Sequence, residues 1–377
     1  MSKFAARILT AAADVSAADW NACAGSDNPF VAHEFFTSLE SSGSACARTG
    51  WQPAHIVVDG GDGRPAGIMP AYLKTHSQGE YVFDHGWAEA WERAGGRYYP
   101  KLQCSVPFTP ATGPRLLLRD PAVAPALLSA AEAVAKQNKF SSVHATFVTP
   151  EQQPVFAEQG WLLRIGEQFH WSNDGYATFA DFLAALSSRK RKAIRKEREG
   201  ALASGVDIVL LTGAEITEAH WDAFWTFYQD TGQRKWGRPY LTREFFSLLG
   251  QSMGDRVLLM FAQRDGEPVA GALNLIGSDC LYGRYWGATE DIPFLHFELC
   301  YYQAIEWAIT HGKARVEAGA QGSHKLARGY RPVATVSAHY IPNPSFREAI
   351  ADFVAREGEM VAADIDALDM ATPFRRG

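Results

Sequence analysis

No run of about 18 apolar residues occurs anywhere in the chain, so no membrane-spanning helix is expected. Cysteine is scarce: Cys23, Cys46, Cys104, Cys280 and Cys300 are scattered, odd in number, and form no Cys-x-x-Cys pair. That spacing excludes a disulfide scaffold and a structural zinc site, and points to a reducing, cytoplasmic setting. Met1 to Trp20 lacks the charged-then-apolar layout of an export signal; Asp14 and Asp19 interrupt it. The phosphate-binding loop, the Gly-x-Ser-x-Gly elbow, the His-Glu-x-x-His pair and the dinucleotide fingerprint are all missing. The eleven histidines do not fall at metal-ligand spacing, so no metal is expected. Basic charge is in deficit, with 36 Lys and Arg against 42 Asp and Glu.

What is present is a large folded chain. Its 377 residues are 47% hydrophobic and 12% aromatic, enough for two ordinary domains with large side chains left over for a cleft. The charge is also unevenly spread. Residues 189 to 198 hold seven basic residues and one acidic, so 29 basic and 41 acidic residues remain elsewhere. A compact basic patch on an acidic protein suits a local anionic ligand.

Two stretches resemble each other. Ile56 to Tyr72 and Leu258 to Asn274 each read as strand, Asp-Gly turn, strand, with Asp-Gly-x-Pro and then a glycine in the second strand. In each half a helix then runs into a strand: Pro125 to Asn138 before Ser142 to Val148, and Leu295 to Thr310 before Ala314 to Ala318. This order predicts two copies of one α/β domain, dividing as 1–175 and 176–377, with an aromatic insertion at 76–110 in the first. Val106 to Arg115 holds three prolines and a glycine and is expected to be a stiff, irregular loop.

Three segments can carry chemistry. Ser187 or Ser188 can cap a helix whose first turn holds Arg189, Lys190, Arg191 and Lys192. Cations there oppose the helix dipole, so the segment is a phosphate site, a solvated face, or part of one helix running on from Thr178. Arg284, Tyr285 and Trp286 end a strand before the helix carrying His296 and Glu298. Leu295, Leu299, Tyr302, Ile305 and Ile309 form the buried stripe of that helix. Glu298 lies beside the stripe, either aimed at a cleft or complementing the dipole at the surface; His296 lies off it. Glu317 opens a glycine-rich loop with Gln321, His324, Lys325, Arg328 and Tyr330, placed at a strand end where α/β domains bind ligands.

Taken together, these segments resemble the bacterial FemAB-like peptidoglycan biosynthesis/recognition family of the GNAT acyltransferase superfamily. The resemblance spans Asn28 to His339. It is carried by Gly79 to Asp84, Tyr98 to Leu102, Val106 to Arg115, Ser188 to Lys192, Arg284 to Gly287, Phe294 to Glu298 and Glu317 to Tyr330. It implies two tandem GNAT-like α/β domains with mixed sheets flanked by helices. It also implies an N-acyltransferase that moves an aminoacyl or acyl group to an amine, of a peptidoglycan precursor or a peptide. No tightly bound cofactor is implied; the acyl donor, aminoacyl-tRNA or acyl-CoA, is a co-substrate. GNAT folds usually meet the donor's phosphates with a Gly-rich turn before a helix, but Thr289 to Phe294 holds no Gly-x-Gly, which argues against ordinary acetyl-CoA binding.

Removing a proton from the amine is the first requirement, with Glu298, Glu317, His296 and His324 as candidate bases, Glu298 and Glu317 first among them. Oxyanion donors are expected near Arg284 to Gly287. The expected binding residues are Arg284, Tyr285, Trp286, Gln321, His324, Lys325, Arg328, Tyr330, Arg189 to Lys192, and Arg115. An acyl-CoA-dependent N-acetyltransferase acting on a small amine, and a non-catalytic module that recognises cell-wall or peptide ligands, are the competing readings.

Overall fold

A computed structural model describes residues 5–236, 239–319 and 322–375. The chain divides into two compact units that are not consecutive halves. Unit 1 comprises Met1–Glu167 and Ala334–Ala363; unit 2 comprises Gln168–Val333 and Asp364–Gly377. The division expected at 175/176 differs from this in two places: residues 168–175 fall in unit 2, and segment 334–363 falls in unit 1. Among the described residues no helix is long and apolar enough to cross a membrane.

In unit 1, Ala6–Leu9, His55–Asp59, Pro65–Met69 and Leu117–Leu118 form one antiparallel sheet. The chain turns out of this sheet after Met69 and enters a second ladder. There Ala71–Lys74 pairs antiparallel with Lys101–Cys104, which runs parallel to Val143–Val148. Residues 336–340 of the Arg331–Tyr340 strand close this ladder antiparallel. The helix Ala124–Asn138 joins the parallel pair. Pro125 suits its first turn, and Leu127, Leu128, Ala131 and Ala135 recur at helical spacing, so one face is buried. That face packs on Leu102, Val143 and Ala145 of the sheet. The 76–110 section holds a helix the sequence reading missed, His85–Arg93, whose Trp87 and Ala88 are buried with Phe346, Ile350 and Val354.

Unit 2 repeats the order. Asp207–Thr212, Val257–Arg264, Glu267–Ile276 and Cys280–Ala288 form antiparallel ladders. The tight hairpin at Asp265 and Gly266 has φ of 52° and 84°, both positive, the twist that matches right-handed strands. Cys280–Ala288 runs parallel to Arg315–Glu317, and residues 170–172 of Leu162–Ser172 close the ladder antiparallel. Leu295–Phe297, a π turn Glu298–Tyr302, and Gln303–Thr310 make the connecting helix. Its predicted stripe is buried: Leu295, Leu299, Tyr302, Ile305 and Ile309 pack with Leu281 and Val316.

The basic segment is a separate helix, Ser188–Leu202, and does not continue the preceding one. Phe179–Ala185 is opened by a Thr178–Asp181 capping box, and Leu186 is extended between the two helices. Ser187 occupies the N-cap position but makes no side-chain cap bond.

Candidate active site in the second unit

The site begins with a defect in a ladder. Leu273 pairs with Tyr285, but Asn274 pairs with Gly283, so Arg284 is an extra residue in its strand. Such a bulge bends the strand and re-aims its side chains. The parallel pairing on the other edge ends at Tyr282 and Glu317. A cavity of about 100 Å³ sits there. Arg284, Tyr285 and Trp286 line it from the bulged strand, Asn274 from the neighbouring one, and Ala318 from the far side. His296, Cys300 and Tyr301 line it from the helix.

Glu317 immediately precedes Ala318 and is 5% exposed. Alternation along the strand puts Val316 in the helix-side core and Glu317 on the opposite face. Arg315 Nε donates to its Oε1 at 3.2 Å, and Oε2 has no hydrogen-bond partner among the described residues. Burial pushes its carboxyl up to about 7, against the pull of Arg315. A carboxyl poised near neutrality with an open oxygen is suited to general-base work.

Glu298 lies deeper still, at 0% exposure, but its oxygens are engaged. Arg198 donates to it through Nε at 3.2 and 3.1 Å and through Nη2 at 2.9 Å. Gln303 adds a bond at 2.8 Å from five residues on, a spacing that the π turn brings onto one face. Arg198 also reaches Glu306 at 2.7 Å. The geometry makes Glu298 an anchor for the basic helix. Both of its oxygens accept hydrogen bonds, which leaves Glu317 the less engaged of the two carboxyls. His296 does line the cavity, with its ring 5.3 Å from Trp286 and 5.4 Å from Tyr301.

The glycine-rich loop is less bland than the sequence suggests. Ser323–Arg328 forms a 3₁₀ turn opened by Gly322 at φ 121°, where a Cβ would lie 2.4 Å from the His324 ring. Lys325 is 1% exposed and donates to Gly319 O at 2.7 Å. Burial pulls its ammonium down to about 8, helped by Arg284 and opposed by Cys300. Polar and glycine-rich as it is, this loop therefore contributes buried side chains. Tyr330 is wholly buried in that core, stacked edge-on against Tyr301. Arg328 stacks over Phe297 at 3.3 Å and pairs with both Glu197 oxygens at 3.0 Å, bracing the loop to the basic helix rather than facing the cavity. His324 accepts or donates a 2.8 Å bond with Tyr301 Oη at the cavity's rim. Gln321 lies outside the described residues.

Of the basic helix, Arg189, Lys192, Arg195 and Lys196 are exposed, while Lys190 and Arg191 are half-buried. Arg115 is placed elsewhere, in unit 1 and 2% exposed. It donates to Thr146 O at 2.6 Å and Ala111 O at 2.8 Å, which braces the proline-rich loop instead of offering a ligand site. Also in unit 1, the Gly79–Asp84 and Tyr98–Leu102 motifs meet at one buried ammonium. Lys101 Nζ binds Ser77 Oγ at 2.8 Å, Glu80 Oε2 at 2.7 Å and Asp84 Oδ2.

Sequence reasoning missed Asn274, Cys300 and His170. Asn274 carried a signal, a lone amide in the apolar run Ala272 to Ile276. His170 carried another, since Gln168 and His170 alternate with the buried Phe169 and Trp171.

Comparisons bear on this geometry. The profile of the FemAB-like family, described as peptidoglycan biosynthesis/recognition, matches residues 11–376. Among solved structures, FemX is similar over 89% of this chain and 98% of its own, at 13% identity and a TM-score of 0.56. L-PGS from Bacillus licheniformis is similar over 88% of this chain and 97% of its own, at 11% identity and 0.52. At such identities these likenesses bear on fold alone. No curated protein matches.

Proposed function

On the premise that the chain belongs to the FemAB-like peptidoglycan biosynthesis/recognition family, we propose that it is an N-acyltransferase with its active site in unit 2, moving an aminoacyl group from tRNA to an amine of a peptidoglycan precursor or related peptide. The observation that carries this reading is the buried Glu317 carboxyl, with one oxygen unpartnered among the described residues, at the end of a parallel strand pair whose next residue, Ala318, lines the cavity. An amine with an ordinary pKa of about 10.4 arrives protonated, and Glu317 removes that proton. The nitrogen attacks the donor's acyl carbon in the cavity. Main-chain amides of the bulge at Arg284 and the Lys325 ammonium stabilise the oxyanion.

The donor choice rests on the segment 289–294. There Glu290 is paired with Arg264 at 2.5 Å, Asp291 is exposed, and Phe294 packs on Gly200 at the start of the helix. Acidic and aromatic side chains are poorly suited to a CoA pyrophosphate. The exposed cations of the Ser188–Leu202 helix suit the phosphates of an RNA donor instead.

The test is to offer charged tRNA and acyl-CoAs separately, with a stem peptide bearing a free amine. Transfer from tRNA is expected, and Lys325→Met should remove it. Because Met fills the same space without a buried charge, thermal stability should change little. Transfer from acyl-CoA alone would overturn the donor. Tight peptide binding without transfer from either donor would make the protein a recognition module.

A further inference from the structure

We infer that Asn274 selects the group to be transferred: its side-chain oxygen is the acceptor for the α-amino group of an aminoacyl donor. The inference rests on the acyl-transfer reading and deepens it, because an acyl group without that nitrogen leaves the oxygen unmet.

The amide stands at a change in a row. On the strand Glu267–Ile276, Ala270, Ala272 and Asn274 alternate onto the same face. The two alanines join the helix-side core, and Asn274 follows them where the cavity opens. It is 1% exposed. Its Nδ2 donates to Leu258 O at 3.2 Å and to Ala272 O at 3.5 Å. Both partners are carbonyl oxygens, which only accept. The amide is therefore held with its NH₂ toward the sheet and its oxygen turned away. No donor among the described residues reaches Oδ1. A Cβ on Gly283, another lining residue, would lie 3.4 Å from Oδ1, so the glycine leaves that oxygen uncovered.

Three features choose the ligand. An amide oxygen only accepts, so its partner brings an N–H or an O–H. The cavity is about 100 Å³, well below the roughly 300–1,000 Å³ of drug-sized sites, so the group it takes is short. Arg284 lines the same space, which disfavours a fixed positive charge. An α-amino group meets all three. Its ordinary pKa of about 7.7–8.0 lets it stand neutral beside Arg284, and a neutral amine still donates. The attacking amine is a different nitrogen. Glu317 lies on the face of its strand opposite the helix-side core, whereas Asn274 stands on the helix side, so the two do not compete for one group.

The test compares two acyl groups that differ only by NH₂ against H. A tRNA charged with alanine and the same tRNA charged with propionic acid are offered in competition to the full chain, with a stem peptide as acceptor. Wild type should favour alanyl transfer by roughly ten- to a hundredfold in kcat/KM, the effect of leaving one buried acceptor unmet. Asn274→Leu should bring that ratio near one. Asn274→Asp should keep it, because a carboxyl oxygen still accepts there. Equal transfer of the two groups by wild type would overturn the assignment. So would an Asn274→Leu protein that slows with both donors yet keeps the preference, since the amide would then be structural. Where the leucine variant does not fold, the wild-type ratio and Asn274→Asp decide, and an aspartate variant without the preference overturns the assignment. Wild type that transfers neither group would overturn the acyl-transfer reading itself.

Discussion

Two glutamates separated by nineteen positions in the sequence show how environment divides roles. Glu298 is the more buried, yet its charge is met by Arg198 and Gln303. Glu317 keeps one oxygen unpaired among the described residues and is pushed up to about 7. Nothing local in the sequence separates them, because Arg198 lies far from Glu298 along the chain. The raised carboxyl has a thermodynamic signature. Below the unfolded pKa of about 4.3 both states hold the proton, and the site costs nothing. Between there and about 7 the folded state binds more protons than the unfolded state, so stability falls as pH rises. Removing the carboxylate should therefore stabilise the protein in alkali only. Glu317→Gln should raise unfolding stability at pH 8 by on the order of 3 kcal/mol and leave it nearly unchanged at pH 4, measured by denaturant titration. The same variant should slow transfer by roughly 10². Equal stabilisation at both pH values would mean that the carboxyl is not buried and charged as described.

At the scale of elements, the Ser188–Leu202 helix has two faces with different tasks. Ile194 and Ala201 are buried; Glu197 and Arg198 reach Arg328, Tyr302, Glu298 and Glu306. These contacts tie the helix to the loop and helix that frame the cavity. Arg189, Lys192, Arg195 and Lys196 point outward. The sequence disclosed the charge run and its helix but not this split, since the two cations Lys190 and Arg191 read like their neighbours. The span of the cavity helix was also legible, from its apolar stripe. Its π turn was not, because one extra residue in a turn leaves the stripe intact. The two faces should separate by mutation. Changing the four outward cations to Gln should flatten the salt dependence of tRNA binding without lowering Tm. The log–log slope should fall by up to about 0.9 for each duplex phosphate that is no longer neutralised. Arg198→Ala should instead destabilise by roughly 3 kcal/mol, because it leaves a buried carboxylate unpaired. A variant of the outward face that melts early would mean those side chains are structural.

At the scale of the whole molecule, the repeat was legible and the exchange was not. Asp-Gly hairpins, a helix and a strand recur in sequence, and both units show that order. Which ladder the last strand of each half joins depends on pairings between residues nearly two hundred positions apart, such as Ala338 with Ala145 and His339 with His144. Hydrophobic alternation marks Arg331–Tyr340 as a strand but cannot name its partner. The consequence is a mutation whose effect appears in the wrong half of the sequence. Ala338 is fully buried among Leu102, Val143 and Ala145. An aspartate there has no partner, and an unpaired buried carboxylate costs several kcal/mol. That is a large share of the roughly 5–15 kcal/mol that holds a domain. Ala338→Asp should therefore speed hydrogen exchange in Lys101–Cys104 and Val143–Val148 of unit 1, while Val257–Arg264 and Glu267–Ile276 of unit 2 keep their protection. Mass spectrometry of the exchanged peptides distinguishes the outcomes. Protection lost first from the strands of unit 2 would show that position 338 serves the half of the chain in which it is written, and the exchanged units would have to be redrawn as consecutive ones.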